Sequence, residues 1–156
     1  MIVLLISIFA ALSGCIEAIL YARRAAESFT FNEHVLFGLQ RASVLLLVLV
    51  AALLPGYVGT KASACLELVP GLLLFPLAHD EAYNFTRLWL SARAELTADA
   101  AGADAAAWHV ARALYVYGYQ SPTTTARTDF NGKERTWLAL GALVLWAAGA
   151  YFLFCK

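Results

Sequence analysis

Long apolar runs separated by polar segments set the pattern of this chain. The first run covers residues 2–21, and its 20 residues carry one charge, Glu17. As a helix rising about 1.5 Å per residue it spans roughly 30 Å, the depth of a bilayer's hydrocarbon core. Arg23 and Arg24 close it. No Lys or Arg precedes the run, and it stays apolar beyond Cys15. It therefore reads as an uncleaved anchor, although Leu12-Ser13-Gly14-Cys15 matches the pattern before a lipoprotein cysteine. Thr30 and Glu33 have capping-box spacing, so a second helix is expected from near Phe31, with its span at 35–54 ended by Pro55-Gly56. A third span, 62–78, is short and interrupted by Glu67, Pro70, Gly71 and Pro76. A fourth, 137–154, carries no charge.

The segment between the last two spans, 79–136, is periodic. Phe85, Leu88, Trp89, Ala92 and Leu96 recur at helical spacing opposite Asn84, Arg87, Ser91 and Glu95. Trp108, Ala111, Leu114 and Tyr115 do the same against Asp104, His109 and Arg112. Two amphipathic helices are expected, divided near Gly102. They either lie along the membrane face or form a hairpin capping the bundle. Tyr115-Val116-Tyr117-Gly118-Tyr119 alternates, so a short strand competes there, and Pro122 marks a loop. Ala139, Ala142 and Gly149 place small residues along one face of the last span as a packing seam.

Composition agrees with the pattern. Apolar residues make up 62% of the 156 and charged residues 14%, far from a soluble chain of this length. The fold class is thus an all-α membrane protein of about four transmembrane helices in one domain. Charge settles its orientation. With four crossings, nine basic residues fall on one side and two, Lys61 and Lys156, on the other. If 62–78 does not cross, the split becomes seven to four in the wrong sense. The positive-inside rule then predicts a multi-pass protein with both termini on the non-cytoplasmic side. Eleven basic residues balance eleven acidic ones, which gives no footing for nucleic acid. Cys15, Cys65 and Cys155 are too few and too far apart for a disulfide framework or a zinc motif, and no structural disulfide is expected.

The polar residues inside or beside the spans are the candidates for chemistry. Glu17, Arg41 and Glu67 lie within spans, where ionisable groups need partners or a purpose. Spans one and two are joined by a short connection and are expected to be antiparallel neighbours, which brings Glu17 to the depth of Arg41 and predicts that it pairs with Arg41 or Arg23. Glu67 belongs at the opposite end, beside Lys61 or lipid headgroups. The densest polar cluster is His79, Asp80, Glu81, Asn84 and Arg87, just beyond the third span. Those residues are the candidate catalytic set, and His34, His79 and His109 the candidate metal ligands. The competing reading is an interfacial polar turn with salt bridges to Arg87. No H-E-x-x-H, G-x-S-x-G, P-loop or G-x-G-x-x-G occurs, so no cofactor is implied. Asn84-Phe85-Thr86 matches the glycosylation triplet by chance, on the inner side.

Three classes of function follow. The expectation is a non-catalytic accessory, assembly or membrane-modifying component, whose partners are membrane lipid and other subunits or copies of itself. The alternatives are an enzyme acting on lipid at the inner interface and an oligomeric channel or transport component.

Overall fold

The computed structural model describes residues 2–24, 33–53, 61–96, 102–120 and 130–154. Five helices make up nearly all of them: α1 (Ile2–Arg24), α2 (Glu33–Leu53), α3 (Lys61–Glu95), α4 (Ala103–Leu114) and α5 (Gly132–Phe154). No strand occurs among the described residues. Ile2–Arg23 and Gly132–Phe152 are each long and apolar enough to cross a membrane, and Phe37–Val50 is a shorter apolar helix. The proposed cap at Thr30 and the stop at Pro55-Gly56 lie outside the described residues.

The largest departure from the sequence pattern is α3. Its 35 residues fuse the third apolar run with the first amphipathic segment into one rod of about 52 Å. Ala78 to Ala82 contains neither glycine nor proline, so nothing there ends the helix. Pro70 and Pro76 sit inside it. Each removes one backbone donor, a loss that helices in apolar surroundings tolerate where neighbouring helices pack around them. Residues 82–95 therefore project along the axis of α3 and do not form a separate helix lying along a membrane face.

α3 is the hub. α1 runs parallel to it at a constant offset of 65 residues, with Ile2 at Glu67, Ile6 at Gly71 and Gly14 at His79. Gly14 is required by this approach, because a Cβ there would stand 2.2 Å from the His79 carbonyl oxygen. α2 runs antiparallel to α1, pairing Phe37 with Tyr21 and Arg41 with Glu17. Its Leu45 and Val48 reach the core cluster of Ile2, Ile6 and Ala64 at the far end. α5 is antiparallel to α3, with Arg135 beside Asp80 and Glu81, and Gly149 against Leu66. The small-residue seam of α5 thus faces α3, with Ala142 fully buried.

α4 folds back on the C-terminal half of α3 as the second arm of a hairpin. Its buried residues, Ala103, Ala107 and Ala111, recur every four positions and form a smooth contact stripe. Trp89 Nε1 donates to the Asp104 carbonyl at 3.3 Å, and Arg93 Nε to Asp104 Oδ1 at 2.7 Å. Phe85 meets the rings of Trp108 and Tyr115 edge to face. After α4 the chain turns where a strand was an alternative. Gly118 takes a left-handed φ of 70° and lies so close to Gly132 that a Cβ on it would be 2.7 Å from the Gly132 Cα. Only two glycines fit that crossing.

α5 begins five residues earlier than its apolar run. Asn131 Oδ1 accepts from the Lys133 and Glu134 amides at 3.0 and 3.1 Å, and Glu134 Oε2 accepts from the Asn131 amide at 2.8 Å. This reciprocal capping box starts the helix and places Arg135 one turn inside it.

Candidate functional site

Four helices and the turn after α4 meet at one level in a network of charged and polar side chains. On α1, Glu17 Oε2 accepts a hydrogen bond from Arg41 of α2. Arg41 Nε also donates to Ser13 Oγ at 3.3 Å. On α3, His79 is buried and stacks on Phe75, one turn earlier. Its Nε2 lies 2.7 Å from the Arg41 guanidinium and 3.1 Å from Glu17 Oε2, while its Nδ1 lies 2.7 Å from Asp80 Oδ1. The other oxygen of Asp80 is 2.9 Å from Arg135 Nε of α5, a charge pairing without the alignment of a directed hydrogen bond. Arg135 is only 2% exposed and donates from Nη1 to Glu81 Oε1 at 3.1 Å and towards the Tyr119 carbonyl at 3.4 Å. Glu81 in turn accepts hydrogen bonds from the Tyr115 hydroxyl and, at 3.1 Å, from the Gly118 amide.

Three carboxylates therefore face two guanidinium groups and one imidazole inside the protein. A buried charge without such partners costs several kcal/mol. Tyr115 is held by the same logic: burial, and then its hydrogen bond to the Glu81 carboxylate, push the phenol well above its ordinary value.

The structure separates the predicted cluster into two groups. His79, Asp80 and Glu81 point into the network. Asn84 Nδ2 binds the Tyr119 carbonyl at 2.9 Å, steadying the turn after α4. Arg87 is exposed, its guanidinium 5.9 Å from the Tyr83 ring centre. The cation beside Asp80 is Arg135 and not the nearby Arg87. His109 stands on the exposed side of α4, edge-on to Trp108, away from buried His79. The side chain of His34 lies outside the described residues. Among the described residues, no group of three His, Cys, Asp or Glu side chains is arranged to hold a metal ion. Glu67 lies at the opposite end, where it accepts a hydrogen bond from the Ile2 amide. Of the cysteines, Cys15 is free and its sulfur accepts from Thr86 Oγ1 at 3.2 Å. The side chains of Cys65 and Cys155 lie outside the described residues.

Sequence reasoning overlooked Arg135 and Tyr115 as members of this site. The signal for Arg135 was present in Asn131-Gly132-Lys133-Glu134, a capping box that extends α5 past its apolar run. Tyr115 carried no comparable signal, since an aromatic residue ending an amphipathic helix reads as packing. Comparison with protein-family models, with characterised proteins and with solved structures finds no match to this chain.

Proposed function

We propose that this chain is a non-catalytic, multi-pass membrane protein, an accessory or assembly component whose charged network is a structural clasp at the inner ends of four crossing helices. The observation that carries the non-catalytic reading is the engagement of the network's own groups. Both ring nitrogens of His79 face protein atoms, Asp80 lies between His79 and Arg135, and Glu81 is shared among Tyr115, Gly118 and Arg135. A general acid, base or metal ligand needs a lone pair or proton aimed at a substrate. Here those positions are filled by neighbours.

The membrane arrangement is supported by geometry on one side of the clasp. From His79 back to Lys61, α3 runs about 27 Å, close to the thickness of a hydrocarbon core. Helix directions alternate as crossings demand, α1 and α3 one way, α2 and α5 the other. Leu39, Leu46 and Leu47 of α2 and Leu143, Val144 and Leu145 of α5 are exposed, an apolar coat that lipid tails would cover. On α5, Trp137 (73% exposed) lies beside the clasp and Tyr151 (65%) about four turns away. Aromatic residues at two levels some 21 Å apart match the two headgroup belts. Arg87, Arg93, Arg112 and Lys133 lie on the clasp side, which is therefore cytoplasmic, with both termini outside. The α3–α4 hairpin then stands in the cytoplasm.

Reconstitution in liposomes tests the functional part. Neither solute flux nor lipid turnover is expected, and Asp80→Asn and Arg135→Met should lower stability alone. Turnover or flux abolished by Glu81→Gln in a folded protein would overturn the non-catalytic reading.

A further inference from the structure

The clasp contains a conflict at His79 whose outcome the proton on its ring decides. His79 Nε2 faces two groups that need opposite things from it. The Arg41 guanidinium, 2.7 Å away, has only hydrogens to offer, so it needs Nε2 as an acceptor. Glu17 Oε2, 3.1 Å away, has only lone pairs, so it needs Nε2 to carry a hydrogen. Both cannot be met at once. With neutral imidazole, Nδ1 donates to Asp80 and Nε2 accepts from Arg41, so Arg41 is held by Glu17, His79 and Ser13 together. With imidazolium, Nε2 donates to Glu17, Nδ1 still donates to Asp80, and a second cation stands against Arg41. The protonated ring then does for Glu17 what Arg41 did, and repels Arg41 as well.

Arg41 matters because few other described side chains of α2 pack against the bundle. Against the rest of the bundle α2 offers Leu45 and Val48 at the far core and the ring contact of Phe37 with Tyr21. Val35, Leu39, Leu46, Leu47 and Val50 face outward. α1 and α5 by contrast interlock with α3 along their length, through Ile6 at Gly71, Gly14 at His79 and Gly149 at Leu66.

We propose that His79 is a one-proton binding site that latches α2: neutral His79 holds Arg41 and keeps α2 docked, and protonation transfers Glu17 to the imidazolium and releases α2 from α1 and α3. Every charged group facing the ring takes part. Glu17 comes from α1, Arg41 from α2 and Asp80 from α3, with Arg135 of α5 fixing the far oxygen of Asp80. Asp80 therefore stays in place while Glu17 changes partner. The latch is independent of how the bundle sits in a bilayer, so it can be tested in detergent.

The test uses the full-length chain with Cys15, Cys65 and Cys155 replaced by Ala and spin labels on Ser43→Cys of α2 and Ser91→Cys of α3, both exposed positions. Pulsed electron paramagnetic resonance reads their separation across about pH 5 to 8, the range in which histidine changes charge. Nitrogen NMR of the His79 ring in the same chain follows its protonation. At the alkaline end one narrow distance is expected. As pH falls through the His79 titration the ratio of released to docked α2 should rise by up to about tenfold per unit decrease in pH, the limit for a one-proton linkage. His79→Gln should keep the short distance at all pH values. Arg41→Gln should give the long distance at all pH values, and it guards the test if His79→Gln fails to fold. An unchanged distance while His79 titrates, a ring that stays in one state throughout, or a pH response persisting in Arg41→Gln would overturn the latch.

Discussion

Replacing Gly14 by Ala puts one methyl group where the backbones of α1 and α3 touch. The new carbon would lie 2.2 Å from the His79 carbonyl oxygen and 3.1 Å from both the His79 carbonyl carbon and the Tyr83 amide nitrogen. Non-bonded heavy atoms of this kind settle at about 3.5 Å, so the helices must part by roughly 1.3 Å at this level. All three neighbours are backbone atoms, and none can swing aside as a side chain would. Overpacking typically costs about 1–3 kcal/mol, and the upper end applies here because the rigid contact is also where Glu17 meets His79. Gly141 on α5 is the control, since a Cβ there meets nothing within 4 Å. Gly141→Ala should be neutral or stabilise by up to about 1 kcal/mol through helix propensity alone. Unfolding in mixed micelles of rising sodium dodecyl sulfate fraction, followed by circular dichroism, measures both variants. A Gly14→Ala protein within about 0.5 kcal/mol of its parent would refute the parallel α1–α3 contact, since even the mild end of overpacking exceeds that.

Other substitutions probe the clasp itself. Arg135→Met leaves Asp80 and Glu81 without their shared cation and should cost about 3–5 kcal/mol in the same unfolding assay, whereas Asp80→Asn, Glu81→Gln and Arg135→Met combined should recover part of that loss. Glu17→Gln and Arg41→Leu should be non-additive in a double-mutant cycle, with a coupling on the order of 0.5–3 kcal/mol, and strict additivity would show that the contact carries no energy. Tyr115 has a folded-state value raised above that of the unfolded chain. Its stabilising contribution is therefore complete below about pH 10 and fades as pH rises through the folded-state value. Ultraviolet phenolate titration should show Tyr115 ionising late, as a component missing from Tyr115→Phe.

Periodicity made the helices legible but not their joins. Within the described residues the apolar runs at 2–21, 35–54 and 137–154 each fall on a helix, because length and composition alone specify a helix in apolar surroundings. The join between 62–78 and 82–96 was misread because a polar cluster, His79 to Glu81, looks like the end of a span. Charge does not stop a helix, and without Gly or Pro the backbone runs straight through it. The pairing of Glu17 with Arg41 was legible from two antiparallel neighbours of known depth. The partners of Asp80 and Glu81 were not. They depend on α5 packing against α3, with Arg135 54 residues beyond Glu81 in the chain, and no local pattern encodes a contact at that separation. Lys61 or a headgroup was the sequence-based partner for Glu67, and its acceptance from the Ile2 amide follows only from the parallel register of α1 and α3.

The proposed four-crossing arrangement, with the clasp set at the cytoplasmic headgroups, is tested most directly by the reach of a membrane-impermeant maleimide. Single cysteines are introduced at Leu72 of α3, Val144 of α5, Ser91 of the hairpin and Lys156, in the chain lacking its native cysteines. Membrane vesicles of known orientation are labelled from either side. Lys156→Cys should react only from the non-cytoplasmic side and Ser91→Cys only from the cytoplasmic side. Leu72→Cys and Val144→Cys should stay unmodified from both until detergent is added. Ser91→Cys and Lys156→Cys reacting from the same side, or Leu72→Cys and Val144→Cys reacting in intact vesicles, would contradict the arrangement.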